Sequence, residues 1–388
     1  MGDMLRQKLD LVHGQMEREG IDLWLTLSTE TSLGGDPVVR DLLGTDVVSE
    51  TAILVGDEEL VLTAEFDSQG PQQCGWQVQP YSSALGPALA QTMARLRPKT
   101  IGLNISERFI VAAGLRHSEF QRLCAMIPDY VRSFRNAEGM VVALRGTLVE
   151  EEARRVREAV RHTQTIYEAV ATKMLQPGVS ERQVAANMRE MAKERGLGLA
   201  WGEAHCPIVS FGANAGGSAH AVPTDTTLRK GDLVVIDFGV RYDGYSSDVM
   251  RTFYVDDGKP VDAAIQRGFS TAMAAMEVCR TTLGAGVVGN AVDKAAKSVI
   301  AKAGYEPVPF CTGHPLGRFD HEIGALLGPD TPRYKGAAML PVLPQAAYAL
   351  EPMVWVPGRF RVGVEENVWV TDDGIVDFTQ PQTELWMV

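Results

Sequence analysis

The sequence predicts an α/β (α+β) protein of two domains, and three observations carry that reading. Strand-like and helical runs alternate through the first third of the chain; the texture changes near residue 145 to long, charged helical stretches; and beyond it two helix pairs are each followed by a strand-rich stretch. At 388 residues the chain is long enough for two or three domains, each with its own core. Hydrophobic residues make up 45% and charged residues 22%, the proportions of a folded, water-soluble protein, which excludes disordered and fibrous classes.

Leu5, Leu9, Leu11 and Met16 are expected near one face of an N-terminal helix, and residues 21–27 follow Gly20 as a short strand. Further strands are read at 51–55, 60–63 and 100–103, with helices around 84–96 and 117–126, so residues 1–145 form a smaller mixed α/β domain. A long helix is expected over 148–174. Its first turn holds Glu150, Glu151 and Glu152, where acids meet the positive end of the helix dipole. The second domain spans 146–388, with helix pairs at 148–174 and 180–195, then 261–282 and 287–303, and strand-rich stretches at 205–256 and 305–380. Two rounds of the same element order point to an internal duplication.

Acidic residues number 49 against 37 basic ones, a formal charge of −12, and no Lys/Arg-rich run offsets it locally. Nucleic-acid and anionic-membrane partners are therefore disfavoured. Five cysteines, Cys74, Cys124, Cys206, Cys279 and Cys311, lie far apart and never make a C-x-x-C spacing, so they are read as reduced thiols mostly in the core. The N-terminus runs into a charged amphipathic pattern without the apolar stretch of a signal sequence or membrane span, and a cytoplasmic address is expected.

The chemistry concentrates in a few acids set among apolar residues. Asp237 interrupts the apolar run 231–240, where an unpaired charge would be costly. Asp248 begins a second strand-like run after the turn Tyr242-Asp243-Gly244-Tyr245, so a hairpin would set the two aspartates side by side. Two ionised carboxylates in one interior site demand a shared proton or a cation between them. The oddity recurs at Glu351 and at Glu365, and His314 lies in Gly313-His314-Pro315-Leu316-Gly317-Arg318-Phe319-Asp320-His321-Glu322. Two aspartates, two glutamates and a histidine suit two divalent ions such as Mn²⁺, Co²⁺ or Zn²⁺ and a hydrolytic centre.

The ordered set Asp237, Asp248, His314, Glu351, Glu365, with His220 before it and His321 seven residues after the metal-type histidine, resembles the pita-bread metallopeptidases: methionine aminopeptidase, aminopeptidase P and prolidase. The resemblance covers roughly residues 148–380, and the first domain looks like the creatinase-type domain of the prolidase and aminopeptidase P branch. It implies a C-terminal pita-bread domain with internal duplication. It also implies five ligands for two divalent ions, most often Mn²⁺ or Co²⁺, with Zn²⁺ as an alternative. Glu351 would in addition hold and deprotonate the water between the ions, while His220 and His321 would bind substrate and stabilise the oxyanion.

The implied activity is an exopeptidase acting on short peptides at a bond next to proline, either an Xaa-Pro dipeptidase or an Xaa-Pro aminopeptidase, in a homodimer. The alternatives are an exopeptidase without proline preference, a carboxypeptidase included, or a small-molecule C–N hydrolase or lyase on the same fold. A non-catalytic binding module is the third class, against which the filled ligand positions speak. Two departures stand out. Pro315-Leu316-Gly317-Arg318 replaces the family's usual small-residue pattern, and Gly363 stands where an arginine is often found two residues before the bridging glutamate. Arg318 is the candidate for binding a substrate carboxylate, with Arg359 and Arg361 as alternatives or as stand-ins for the missing arginine.

Overall fold

The computed structural model describes residues 2–388. The chain divides into two compact units, the first ending at Arg145 and the second spanning Gly146–Val388.

In the first unit, α1 (Asp3–Glu19) ends at Gly20, whose left-handed conformation (φ 64°) turns the chain into β1 (Leu23–Ser28). The buried face of α1 is Lys8, Leu9, Val12 and Met16. Leu11, expected on that face, is instead exposed, because two residues from Leu9 is a rotation of about 200° around a helix. The unit then adds α2 (Val38–Leu43), β2 (Thr51–Val55), β3 (Glu59–Ala64), α3 (Gln69–Gln73), β4 (Gln77–Tyr81) and α4 (Leu85–Leu96). It closes with β5 (Ile101–Leu103), α5 (His117–Met126), β6 (Phe134–Asn136) and α6 (Glu138–Arg145). The six strands make one mixed sheet in the order β4-β3-β2-β1-β5-β6. Beneath it, Trp24 Nε1 donates to Asn104 Oδ1 at 2.8 Å and Asn104 Nδ2 donates to Asp36 Oδ2 at 2.6 Å, while burial pushes the Asp36 carboxyl up to about 7.

The second unit opens with α7 (Glu150–Ala169), which carries its three first-turn acids as expected and runs on through one π-helical turn to Met174. Then come α8 (Glu181–Glu194), β7 (Gly198–Leu199), β8 (Ile208–Phe211), β9 (Leu233–Phe238), β10 (Val240–Tyr242), β11 (Tyr245–Ser246) and β12 (Val249–Tyr254). The second round is α9 (Ala263–Thr282), α10 (Gly289–Lys302), β13 (Gly313–Leu316), β14 (Ala347–Leu350), β15 (Met353–Val356), β16 (Phe360–Gly363), β17 (Glu366–Thr371), β18 (Gly374–Asp377) and β19 (Trp386–Met387). Helix pair then strands, twice over, is the duplicated pita-bread order. The first round's β8, β9 and β12, joined by β19 from the end of the second, make one four-stranded sheet, β19-β12-β9-β8, and the second round makes the other, β13-β14-β17-β18. Each sheet buries one face under a helix pair: Val234, Ile236 and Phe253 against Ile166, Val184 and Met188, and Leu350, Val368 and Val370 in a cluster with Phe269, Ala272 and Val292.

All five cysteines are free, but only Cys206 and Cys279 are buried; Cys74, Cys124 and Cys311 are half-buried. No helix among the described residues is long and apolar enough to cross a membrane.

Candidate metal centre

Asp237 and Asp248 are neighbours by a route that differs from the expected hairpin. Strands β9 and β12 do pair antiparallel, but the chain between them folds into β10 and β11 of another sheet, and Asp237 stands opposite Met250. Asp248 is the residue before β12, two positions from Met250. Side chains alternate along a strand, so it lies diagonal to Asp237 on the same face.

The second round supplies the other three groups. His314 sits in β13 opposite Ala349 of β14, and Glu351 is the first residue after β14, its N–H donating to the Thr312 carbonyl at 2.9 Å. The strands can close this tightly because position 313 is glycine: a Cβ there would come within 2.5 Å of the Ala349 carbonyl. Glu365 lies in the break between β16 and β17, and its N–H donates to the Met250 carbonyl at 3.0 Å, which ties the second sheet to β12, the strand that Asp248 immediately precedes. Asn367 completes the tie: its Oδ1 accepts from the Asp248 N–H at 3.0 Å and its Nδ2 donates to the Asp248 carbonyl.

Around the imidazole of His314 the acids converge. Its Nε2 is 3.7 Å from Asp248 Oδ2, 3.7 Å from Glu365 Oε1 and 3.9 Å from Glu351 Oε1. Its Nδ1 faces the Pro315 carbonyl at 3.2 Å, so the tautomer that donates there leaves the Nε2 lone pair facing the carboxylates. Two groups of potential ligand atoms lie within 4.8 Å of one another: Asp237, Asp248 and Glu365, and Asp248, His314 and His321.

Electrostatics follow from crowding. Burial, then the charges of Asp237, Asp320 and Glu351, holds the Asp248 carboxyl well above the usual carboxylate range. Burial, then Asp248, Asp237 and Glu351, does the same to Glu365. Burial and Asp237 push Glu351 up to about 8, and Asp237 is itself raised by burial against the pull of Arg361. Burial, reinforced by His321, keeps the His314 imidazole neutral, well below its usual value. Asp237 Oδ1 is buried without a hydrogen-bond partner. A cluster that proteins normally avoid, with one of its carboxylate oxygens buried and unpartnered, fits a site for divalent cations.

His321 packs its ring 4.0 Å from that of His314 while keeping an exposed edge. The protein mass around the ring holds its pKa below the ordinary histidine value, with the positive charge of His220 acting the same way and Asp320 opposing. His220 is exposed in the loop after β8. Arg318 is half-buried, its guanidinium 5.0 Å from the centre of the Tyr245 ring, and Tyr245 in turn donates to Glu152 at 2.6 Å. Arg359 is exposed over Phe360, whereas Arg361 is only 2% exposed and its charge acts on Asp237 and Glu351. Gly363 has a local reason: a Cβ there would meet the Pro352 carbonyl at 2.9 Å, so no arginine fits, and Arg361, two residues earlier on the same strand face, brings the positive charge.

Sequence reasoning missed Arg251, Glu366, Asn367 and Asp320. Arg251 and Glu366 carried a usable signal, since each is a charge inside an otherwise apolar strand run. Asn367 and Asp320 carried none.

Residues 154–372 match metallopeptidase family M24. An uncharacterized peptidase of Staphylococcus saprophyticus is 30% identical over 260 residues, 66% of this chain and 70% of the relative. A probable dipeptidase, PepE, of Mycobacterium tuberculosis is 33% identical over 217 residues, 55% of this chain and 53% of PepE, so that match spans about half the relative's length. Among solved structures, an Xaa-Pro dipeptidase from Bacillus anthracis superposes with a TM-score of 0.76 at 22% identity, covering 99% of this chain and 100% of the other, a likeness of fold.

Proposed function

This chain belongs to metallopeptidase family M24, and from that premise we propose that it is a two-metal exopeptidase cleaving short peptides next to proline, as an Xaa-Pro dipeptidase or Xaa-Pro aminopeptidase. The observation that carries the reading is the convergence of Asp248, Glu351 and Glu365 on His314 Nε2 within 3.9 Å, beside the unpartnered buried oxygen of Asp237. These five side chains would hold two divalent ions, Mn²⁺ or Co²⁺, with Zn²⁺ as an alternative; the four carboxyls would shed the protons that burial and mutual repulsion force on them in the metal-free state, while His314 is already neutral. When bound, the ions supply Lewis acidity that ionises water near neutral pH and polarises a carbonyl.

The protein's own groups do the rest. The Glu351 side chain is 20% exposed, against 7% for Asp248 and 4% for Glu365, so it is the most open of these three carboxylates and the one assigned to take the proton of the attacking water and return it to the leaving amine. His220 and His321, both exposed, are assigned to bind the substrate and donate to the oxyanion as it develops. Arg361 offsets part of the negative charge from within the protein. Arg318 is assigned to the substrate carboxylate, where a guanidinium can make two parallel hydrogen bonds. The first unit, read as a creatinase-type domain, is assigned to assembly and access in a homodimer.

The test is a panel of Xaa-Pro dipeptides, Xaa-Pro-Xaa tripeptides and peptides blocked at either end, offered to chelated protein before and after Mn²⁺ or Co²⁺ is restored. Cleavage next to proline only with metal is expected. Undiminished cleavage after exhaustive chelation would refute the metal centre, and cleavage that ignores proline would move the protein to the broader exopeptidase class.

A further inference from the structure

His220 is carried by a loop that leaves β8 at Gly212 and returns over residues 224–228 to lie beside the start of α8, where the Glu181 N–H donates to the Thr226 carbonyl at 3.2 Å and the Arg182 N–H to the Thr224 carbonyl at 3.1 Å. We propose that Glu181, the first residue of α8, is a positioning residue for His220, clamping the two legs of this loop together through one buried carboxylate. The inference rests on the role given to His220 above.

The carboxylate is only 1% exposed, and both of its oxygens are fully used. Oε1 accepts from the entry leg, from the Phe211 N–H at 2.8 Å and Asn214 Nδ2 at 2.9 Å. Oε2 accepts from the exit leg, from the Thr224 N–H at 2.8 Å and Thr224 Oγ1 at 2.6 Å. Four donors on one carboxylate at a helix N-terminus, where the dipole favours negative charge, form a stiff joint. A glutamine has one acceptor oxygen, and its amide would point N–H at N–H on one of the two legs.

On its other side the loop is fastened to the β15–β16 hairpin. The Gly216 carbonyl accepts from the Gly358 N–H at 3.2 Å and Trp355 Nε1 at 3.0 Å, and the Ser218 carbonyl accepts from Arg361 Nη1 at 3.1 Å. Ser218 Oγ then accepts the His220 N–H at 3.2 Å. His220 therefore lies in the short span between the hairpin anchors and the Glu181 clamp. Its exposed imidazole makes orientation depend on those anchors, and misplacing a reacting group by about 1 Å can cost about 10²-fold in rate.

A double-mutant cycle tests this. Full-length Mn²⁺-loaded protein is compared as wild type, Glu181→Gln, His220→Ala and the double variant, with kcat and KM on the best peptide of the panel and Mn²⁺ affinity by calorimetry. Glu181→Gln should lower kcat by about 10- to 100-fold with Mn²⁺ affinity held within about twofold, and should cost nothing further once His220 is alanine. In the metal-free protein, protease should cut the 217–223 span faster in Glu181→Gln than in wild type. Equal losses with and without His220 would overturn the inference and make Glu181 a general structural residue, as would wild-type kcat in Glu181→Gln. Wild-type kcat in His220→Ala would instead overturn the role of His220, and with it the need for a clamp. Asn214→Ala, which removes one of the four donors, carries the same cycle if Glu181→Gln does not fold.

Discussion

The ion pair behind the candidate metal centre makes a quantitative prediction. Arg251 and Glu366 meet at 3.0 Å with side-chain exposures of 1% and 0%. Arg251 stands on β12, three residues after Asp248, and Glu366 follows Glu365 directly. Arg251 Nη1 also donates to the Met250 and Glu365 carbonyls at 3.0 and 2.9 Å, and Nη2 to the Gln380 carbonyl at 3.2 Å. The second oxygen of Glu366 accepts the Gln382 N–H at 2.9 Å. Burial already raises the Glu366 carboxyl despite the guanidinium beside it, so Arg251→Met would leave an acid with no counter-charge. Removing one partner of a buried pair costs about 3–5 kcal/mol, and a unit of this size loses about 2–4 °C per kcal/mol, so the melting temperature should fall by about 6–20 °C. Glu366→Leu should cost a similar amount, while the double variant should lose less than the sum by about 2–3 kcal/mol. Thermal and urea unfolding of the metal-free proteins measures this, and calorimetry should show weaker Mn²⁺ binding in both single variants, because the pair holds the Glu365 backbone against the Asp248 strand. A single variant melting within about 2 °C of wild type, or strict additivity in the double, would refute the reasoning.

Two further outcomes follow from the charges. In the metal-free protein the raised carboxyls of Asp237, Asp248, Glu351 and Glu365 keep protons that the unfolded chain sheds near about pH 4. The folded state then binds more protons than the unfolded one, so stability should fall as pH rises from about 5 to 8, and saturating Mn²⁺ should flatten that slope; parallel curves with and without metal would count against the site. Arg318→Leu should raise KM for free Xaa-Pro dipeptides, lowering kcat/KM by about 10- to 150-fold, and leave C-terminally blocked substrates nearly untouched. Equal losses on both substrate types would give Arg318 a structural role against Tyr245.

Much of the centre was legible in the chain because its chemistry is expensive. An acid in an apolar strand run needs a reason, and Asp237, Glu351 and Glu365 stand out on that ground alone, before any partner is known. The long helices were equally plain, since periodicity and first-turn acids are local properties. Leu11 falls outside the buried face because two positions from Leu9 turn about 200° around the helix, and three of the five cysteines are less buried than their residue type suggests.

What the sequence by itself determined is therefore the long helices, the strands it marked, the acids set in apolar runs and the duplicated plan of the second unit; α2, α3, α6, β4 and β6 of the first unit carry no such mark. Tertiary structure alone decided how they meet. The diagonal pairing of Asp237 with Asp248 depends on a strand register, the reason for Gly363 depends on a carbonyl brought close by Pro352, and the partners of Arg251 and Glu181 lie more than a hundred and about thirty to forty residues away in the chain. Contacts of that separation leave no periodic trace, because nothing local is stabilised by them until the sheets have closed.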